Sequence, residues 1–172
     1  NMYISQFKDF CKYMLENYDN LIKDAQIFLT LAMLKIIDVP NKDLKKAFEL
    51  CLHEAECGNA EFQGMLARFY LNGVVVKKDE SKAIRLLKQA AEQGDASSQS
   101  MLGAYFQDLK NYPIAVTWHR KAAKHGIVES MVDLGFCLSR IATKDALKEM
   151  FEWYSKAAEK NNVSAQFYLG NC

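Results

Sequence analysis

Eight residues return along this chain in nearly the same form. They read CLHEAECG at 51–58, LKQAAEQG at 87–94, HRKAAKHG at 119–126 and YSKAAEKN at 154–161. Successive copies lie 32 to 36 residues apart, the length of one supersecondary unit that buries its apolar face only by stacking on a neighbour. A chain with this period is expected to fold as an array of like elements. Such arrays present an extended surface to a partner, which moves the functional expectation toward recognition and away from catalysis.

The bulk numbers exclude more than they suggest. Lys and Arg total 22 against 21 Asp and Glu, a net charge of +1. That balance offers no field for a nucleic-acid backbone or an anionic lipid surface, so neither nucleic acid nor membrane insertion is expected. The longest apolar run, around Ile27–Val39, is broken by Thr30, Lys35 and Asp38; a bilayer span needs about 20 apolar residues. The five cysteines, Cys11, Cys51, Cys57, Cys137 and Cys172, have neither the even count nor the regular spacing of a disulfide framework or a CxxC zinc site. Unpaired thiols and the lack of a visible signal peptide favour a cytoplasmic setting. Asn1 stands ahead of Met2, and Cys172 falls ten residues into a new helical pattern. Both ends therefore read as cut points at which a targeting segment could have been lost.

Apolar residues recur at i, i+3, i+4 and i+7, and the two prolines, Pro40 and Pro113, fall where turns are wanted, so the whole chain reads as helical. The quoted octets close the second helix of each unit, with Gly58, Gly94 and Gly126, and Asn161 in the last copy, placed for a left-handed cap. The first helices align just as closely: GNAEFQGMLARFY from Gly58, GDASSQSMLGAYF from Gly94, GIVESMVDLGFCL from Gly126 and NNVSAQFYLGNC from Asn161. Leu66, Leu102, Leu134 and Leu169 coincide, each followed by a small residue: Ala67, Gly103, Gly135 and Gly170. A leucine knob beside a small residue lets two helix backbones approach. The alanine pairs Ala90–Ala91, Ala122–Ala123 and Ala157–Ala158 do the same on the second helices, and Trp118 and Trp153 share a register suited to filling space between units.

The expected organisation is an N-terminal capping helix over 1–23, with an apolar stripe of Tyr3, Phe7, Phe10, Met14, Tyr18 and Leu21. An array over 24–172 follows it: a degenerate pair at 24–58, full repeats at 59–94, 95–126 and 127–161, and a trailing, truncated helix at 162–172. The fold class is all-α, a right-handed α-solenoid of stacked antiparallel helix pairs.

These residues resemble the Sel1-like repeat, a relative of the tetratricopeptide repeat. The best match runs from Ala60 to Gly94, where Tyr70, Gly73, Val76, Asp79, Lys82, Ala83, Ala90, Ala91 and Gly94 all fall on the family pattern. Val75 stands where the family carries glycine, Ala67 replaces the glycine after Leu66, and the next unit shortens its turn to QDLKNYP. The resemblance implies an adaptor or scaffold that binds a protein or peptide, most often in bacteria or in eukaryotic quality-control assemblies. It covers roughly 24–172.

Catalytic constellations are absent from the pattern. His53, His119 and His125 are the only histidines; His119 and His125, six apart, do not share a helix face. His53 and Cys57 sit at i, i+4 but lack a third ligand. No phosphate-cradling glycine loop, nucleophile elbow or HExxH motif occurs. The chain is expected to be no enzyme and to hold no cofactor or metal. Binding is expected on the concave face lined by the first helices, at positions out of phase with the leucine core. From that register the partner-binding set is Glu61, Arg68, Asn72, Ser100, Gln107, Val132, Phe136, Arg140 and Phe167. Gly64, Leu71, Ser97, Ala104, Asp108, Glu129, Ser139, Ser164 and Asn171 are further positions on the face, and the degenerate pair adds Leu29 and Met33. Arg68, Asn72, Gln107 and Arg140 suit a peptide backbone or carboxylate, and Val132, Phe136 and Phe167 an apolar anchor. Two other readings use the same architecture: an immunity-type inhibitor that plugs a toxin, and a structural element that self-associates as a homodimer.

Overall fold

The structure, a computed structural model, describes residues 41–170. The expected capping helix, Leu29 and Met33, Cys11, Asn171 and Cys172 lie outside the described residues. Within them the chain is helical, with no strand: α1 (Asn41–Glu56), α2 (Ala60–Asn72), α3 (Glu80–Glu92), α4 (Ala96–Asp108), α5 (Tyr112–Lys124), α6 (Val128–Ile141), α7 (Lys144–Glu159) and α8 (Val163–Gly170). It divides into two compact units, one ending at Leu86 and the other beginning at Leu87.

Local chemistry sets the helix boundaries. Six helix starts are held by a side-chain oxygen that accepts from an otherwise orphaned backbone N–H: Asn59 from Glu61 (3.2 Å), Asp79 from Lys82 (2.9 Å), Asp95 from Ser98 (2.6 Å), Asn111 from Ile114 (3.4 Å), Thr143 from Ala146 (3.2 Å) and Asn162 from Ala165 (3.0 Å). The α3–α4 junction shows how the second helices end. Gly94 adopts φ +99°, its N–H bonds Ala91 O at 3.1 Å, and the N–H of Asp95 reaches Ala90 O at 3.0 Å. This is the paired bonding of a Schellman cap, which needs a left-handed residue. The same pair of bonds follows α1, α5 and α7, with Asn161 (φ +61°) as the non-glycine copy.

In the first unit, α1 folds back on α2. Phe48 stands edge-on to Phe69 (5.4 Å) and Tyr70 (6.1 Å), over a core of Leu50, Cys51, Phe62, Leu66 and Ala67. The turn after α2 runs through Gly73 and Val75, the latter β-branched yet at φ +68°. Here the residue that departs from the family's glycine carries backbone strain. Below that turn Lys82 Nζ donates to Tyr70 Oη at 2.5 Å and lies 4.3 Å from the ring centroid.

In the second unit each helix packs on the next in sequence from α4 to α8. Leu102 and Leu134 are fully buried, each contributing about 1.5–3 kcal/mol of hydrophobic stabilisation. The small residue beside each leucine is there for a ring. A Cβ on Gly103 would lie 2.5 Å from Nδ1 of His119, and one on Gly135 would press into the Tyr154 ring, 2.8 Å from Cδ1. On the second helices Arg120 grips Glu149 with two bonds, Nε to Oε1 at 2.7 Å and Nη2 to Oε2 at 2.8 Å, while Trp153 Nε1 donates to the same Oε1 at 3.0 Å. That pairing holds the Glu149 carboxyl below its ordinary range and the Arg120 guanidinium above its own. The two tryptophans of shared register part company: Trp153 is buried, whereas Trp118 is half-buried beneath Lys121.

Three substitutions test this account by urea unfolding. Gly135→Ala drives a methyl into the Tyr154 ring and is expected to cost about 1–3 kcal/mol. Val75→Gly relieves the left-handed valine and is expected to raise stability by about 0.5–1 kcal/mol, while Gly94→Ala lowers it by about 1 kcal/mol.

Candidate functional site

The first helices of the second unit meet along one side. Ser130 Oγ donates to Ser100 Oγ at 2.8 Å, and Cys137 Sγ to Gln107 Oε1 at 3.1 Å. Both pairs are seven residues apart on each helix, two full turns, so they define the facing edges of α4 and α6. The leucine and small-residue positions define the buried edge. What remains open is one stripe per helix: Ser97, Met101, Ala104 and Asp108 on α4, and Glu129, Asp133, Phe136 and Arg140 on α6. Every one of these is exposed or half-buried.

Phe136 and Arg140 lie on this open stripe. Phe136 is 36% exposed and meets the Tyr112 ring edge-on at 6.4 Å; the Arg140 guanidinium lies 5.9 Å from that ring's centroid. Ser100 and Gln107 are half-buried, with a polar atom of each committed to the neighbouring helix. Val132 packs against the apolar core and is half-buried. Phe167 on α8 is 66% exposed beside Tyr168, which stacks on Tyr154 at 5.1 Å. In the first unit Glu61 and Asn72 are exposed, Arg68 is half-buried, and Gly64 is buried, correcting its expected place on the face. The sequence register missed Met101, Asp133 and Tyr112. Met101 and Asp133 precede the core leucine directly, a position a leucine-anchored count assigns to the interior. Tyr112 belongs to a second helix.

The electrostatics of the stripe are uneven. Burial, and then the Glu129 charge, push the Asp133 carboxyl above its ordinary range, and no cation among the described residues pairs with either acid. Two buried thiols are unreactive: burial raises Cys51 to about 12, and burial with the Asp133 charge raises Cys137 to about 12, so both stay protonated. Burial lowers His119 to about 4, and neither ring nitrogen has a hydrogen-bond partner. No group of three or more His, Cys, Asp or Glu that could hold a metal occurs among the described residues. No helix among them is long and apolar enough to cross a membrane.

An all-helical array of short pairs, closed by left-handed caps and stacked through small-residue contacts, belongs to the class of α-helical repeat proteins. The particular repeat is the Sel1 repeat, whose family model matches residues 60–95, 96–127 and 151–162. Solved structures agree. A protective antigen of uropathogenic Escherichia coli, c5321, which displays an SLR fold, superposes with a TM-score of 0.75 at 30% identity over 86% of this chain and 32% of its own. A Sel1 repeat protein from Oxalobacter formigenes gives 0.72 at 26% identity, over 99% of this chain and 71% of its own. MamA gives 0.54 at 20% identity, over 91% and 87%, a likeness of fold alone. No curated protein sequence matches significantly. The chain carries Sel1 repeats at the matched residues and has the solenoid fold of these structures; it spans about a third of the E. coli antigen's length. Repeats of this kind commonly serve protein–protein interaction.

The buried imidazole has a measurable consequence. Between the ordinary value of 6.5 and about 4 the unfolded chain takes up a proton that folded His119 refuses, so stability falls as pH falls through that window and levels off below it. The loss should be on the order of 3 kcal/mol. His119→Leu, the residue that stands at the equivalent position 87, should remove this part of the pH dependence in denaturation series run from pH 7 to pH 4.

Proposed function

We propose that this protein is a non-enzymatic adaptor or scaffold that binds a protein or peptide partner through the concave, first-helix face of its repeat array. The observation that carries the reading is the open stripe on α6. Phe136 leaves apolar surface in water against Tyr112, and Arg140 keeps its fork of donors uncommitted to any carboxylate among the described residues. An aromatic shelf beside an arginine is the composition in which binding energy concentrates at interfaces. Glu61, Arg68 and Asn72 are the corresponding contributors in the first unit, and Phe167 on α8. Ser100, Gln107 and Val132 serve the site by fixing the spacing and packing of the helices that carry it. Burial keeps the Cys51 and Cys137 thiols protonated and the His119 imidazole neutral, which favours the scaffold reading. With net charge +1, and with Cys51, Cys57 and Cys137 free among the described residues, a cytoplasmic protein with a protein partner is the reading adopted, and nucleic acid is not.

Self-association is a second reading favoured by a separate observation: Leu147 and Phe151 on α7 are 37% and 42% exposed, and Val163 on α8 is 77% exposed. A symmetric contact would cover such residues.

Affinity capture from native cell extract separates the readings. The Phe136→Ala, Arg140→Glu double variant should retain wild-type helicity, since both side chains are exposed, and should lose a partner that the wild type holds. A partner retained equally by both variants would place recognition elsewhere. A concentration-dependent mass in light scattering, reduced by Phe151→Glu, would favour self-association.

A further inference from the structure

The charges on α6 are arranged in an order. Glu129 opens its first turn and Arg140 closes its last, and both signs favour the helix dipole. The dipole does not account for Asp133. That carboxylate is half-buried one turn from Glu129, is destabilised by burial and by its neighbour's charge, and has no cation among the described residues to relieve it. A positive charge supplied from outside would offset that cost. At the other end of the same stripe Arg140 has a ring for company but no carboxylate, and between the two ends lies the Phe136–Tyr112 shelf. The stripe is thus acidic, then apolar, then basic, along one side of one helix.

The close contact of α6 with α4 limits what can lie along the stripe. α4 and α6 approach closely enough for a hydroxyl–hydroxyl bond between Ser100 and Ser130, and the α4 stripe alternates the small Ser97 and Ala104 with Met101 and Asp108. A helix with its side chains is about 10–12 Å wide, as wide as the usual spacing of two packed helices, and would ride on their crests. An extended segment, whose side chains alternate in direction, can instead follow the exposed stripe along the length of α6.

We propose that the α6 stripe binds an extended segment of a protein partner that carries three side chains in a fixed order. A basic one lies over Glu129 and Asp133, an apolar one on the Phe136–Tyr112 shelf, and an acidic one, or a chain-terminal carboxylate, at Arg140. The spacing follows from the helix rise. Glu129 to Arg140 spans about 16 Å and Glu129 to Phe136 about 10 Å at 1.5 Å per residue. At about 3.3 Å per residue of extended chain, the basic and acidic residues stand about five apart, with the apolar one about three from the basic. The order rests on the reading that the first-helix face receives the partner, and it adds to that reading which residues the partner must show.

The test is a selection of random 12-residue peptides displayed on phage, carried out on the full chain and counter-selected on the Phe136→Ala, Arg140→Glu variant. The expected winners pair a basic with an acidic residue about five apart, with an apolar residue nearer the acidic one. A synthetic winner should bind about tenfold more weakly to Arg140→Glu and to Asp133→Asn, both checked for helicity by circular dichroism. Changing the peptide's acidic residue to lysine should restore binding to Arg140→Glu and weaken it to the wild type. Winners that need Phe136 but ignore both charge changes would overturn the charge order while leaving the face as the binding surface. A selection with no peptide dependent on Phe136 or Arg140 would overturn both.

Discussion

Backbone closeness between the two helices of a pair is what the rest of this architecture depends on, and in the second unit it is achieved by removing a side chain. Gly103 and Gly135 give up their Cβ so that the rings of His119 and Tyr154 can sit directly against the first helix. With the ring seated there, Leu102 and Leu134 reach full burial beside it. The arrangement accepts different chemistry in the ring's place. His119 fills it with no hydrogen-bond partner at either nitrogen and stays neutral, whereas Tyr154 adds a stack with Tyr168. Shape is held constant while polarity varies, as expected of a contact whose contribution is packing rather than hydrogen bonding.

A second layer of contacts joins one pair to the next, and it is polar. Gln63 donates to the Ala55 carbonyl and Gln99 to the Ala91 carbonyl, at 3.3 and 3.1 Å, each buried and each closing the end of the preceding helix. Ser100 with Ser130, Gln107 with Cys137, and Arg120 with Glu149 extend the scheme across the second unit. Such bonds contribute modestly each, but they fix how far one helix slides along another. The open stripe on α6 has a defined position because Ser130 and Cys137 hold the side next to it.

The repeats were legible because their signals are local. A glycine after an alanine pair and a leucine before a small residue each state a backbone requirement that no distant residue changes. Pro113, expected in a turn, instead opens the first turn of α5, where its missing N–H costs nothing. Caps at Asn59, Asp95 and Thr143 obey equally local rules. The face was harder to read. A count from the core leucine separates most buried positions from exposed ones, and Glu129, Phe136 and Arg140 are exposed as that count implies. The same count also offers Ser100 and Gln107, which the neighbouring first helix engages, and passes over Asp133, which it leaves uncovered. The difference depends on the rotation of one helix against the next, set by side chains about 30 residues away in sequence, and no pattern inside a single helix encodes it.

In the second unit α4 packs on α5, α5 on α6, α6 on α7 and α7 on α8, while α4 also touches α6 and Arg120 of α5 bonds Glu149 of α7 across the helix between them. Order in such a chain propagates between neighbours, so structure can nucleate within a single hairpin and spread outward without first closing a long loop. Loss of structure follows the same route in reverse, with the outermost helices opening before those inside. A partner seated across α4 and α6 would reinforce the ties that Ser100–Ser130 and Arg120–Glu149 already make between the two hairpins. Binding would then be felt as cooperativity along the chain.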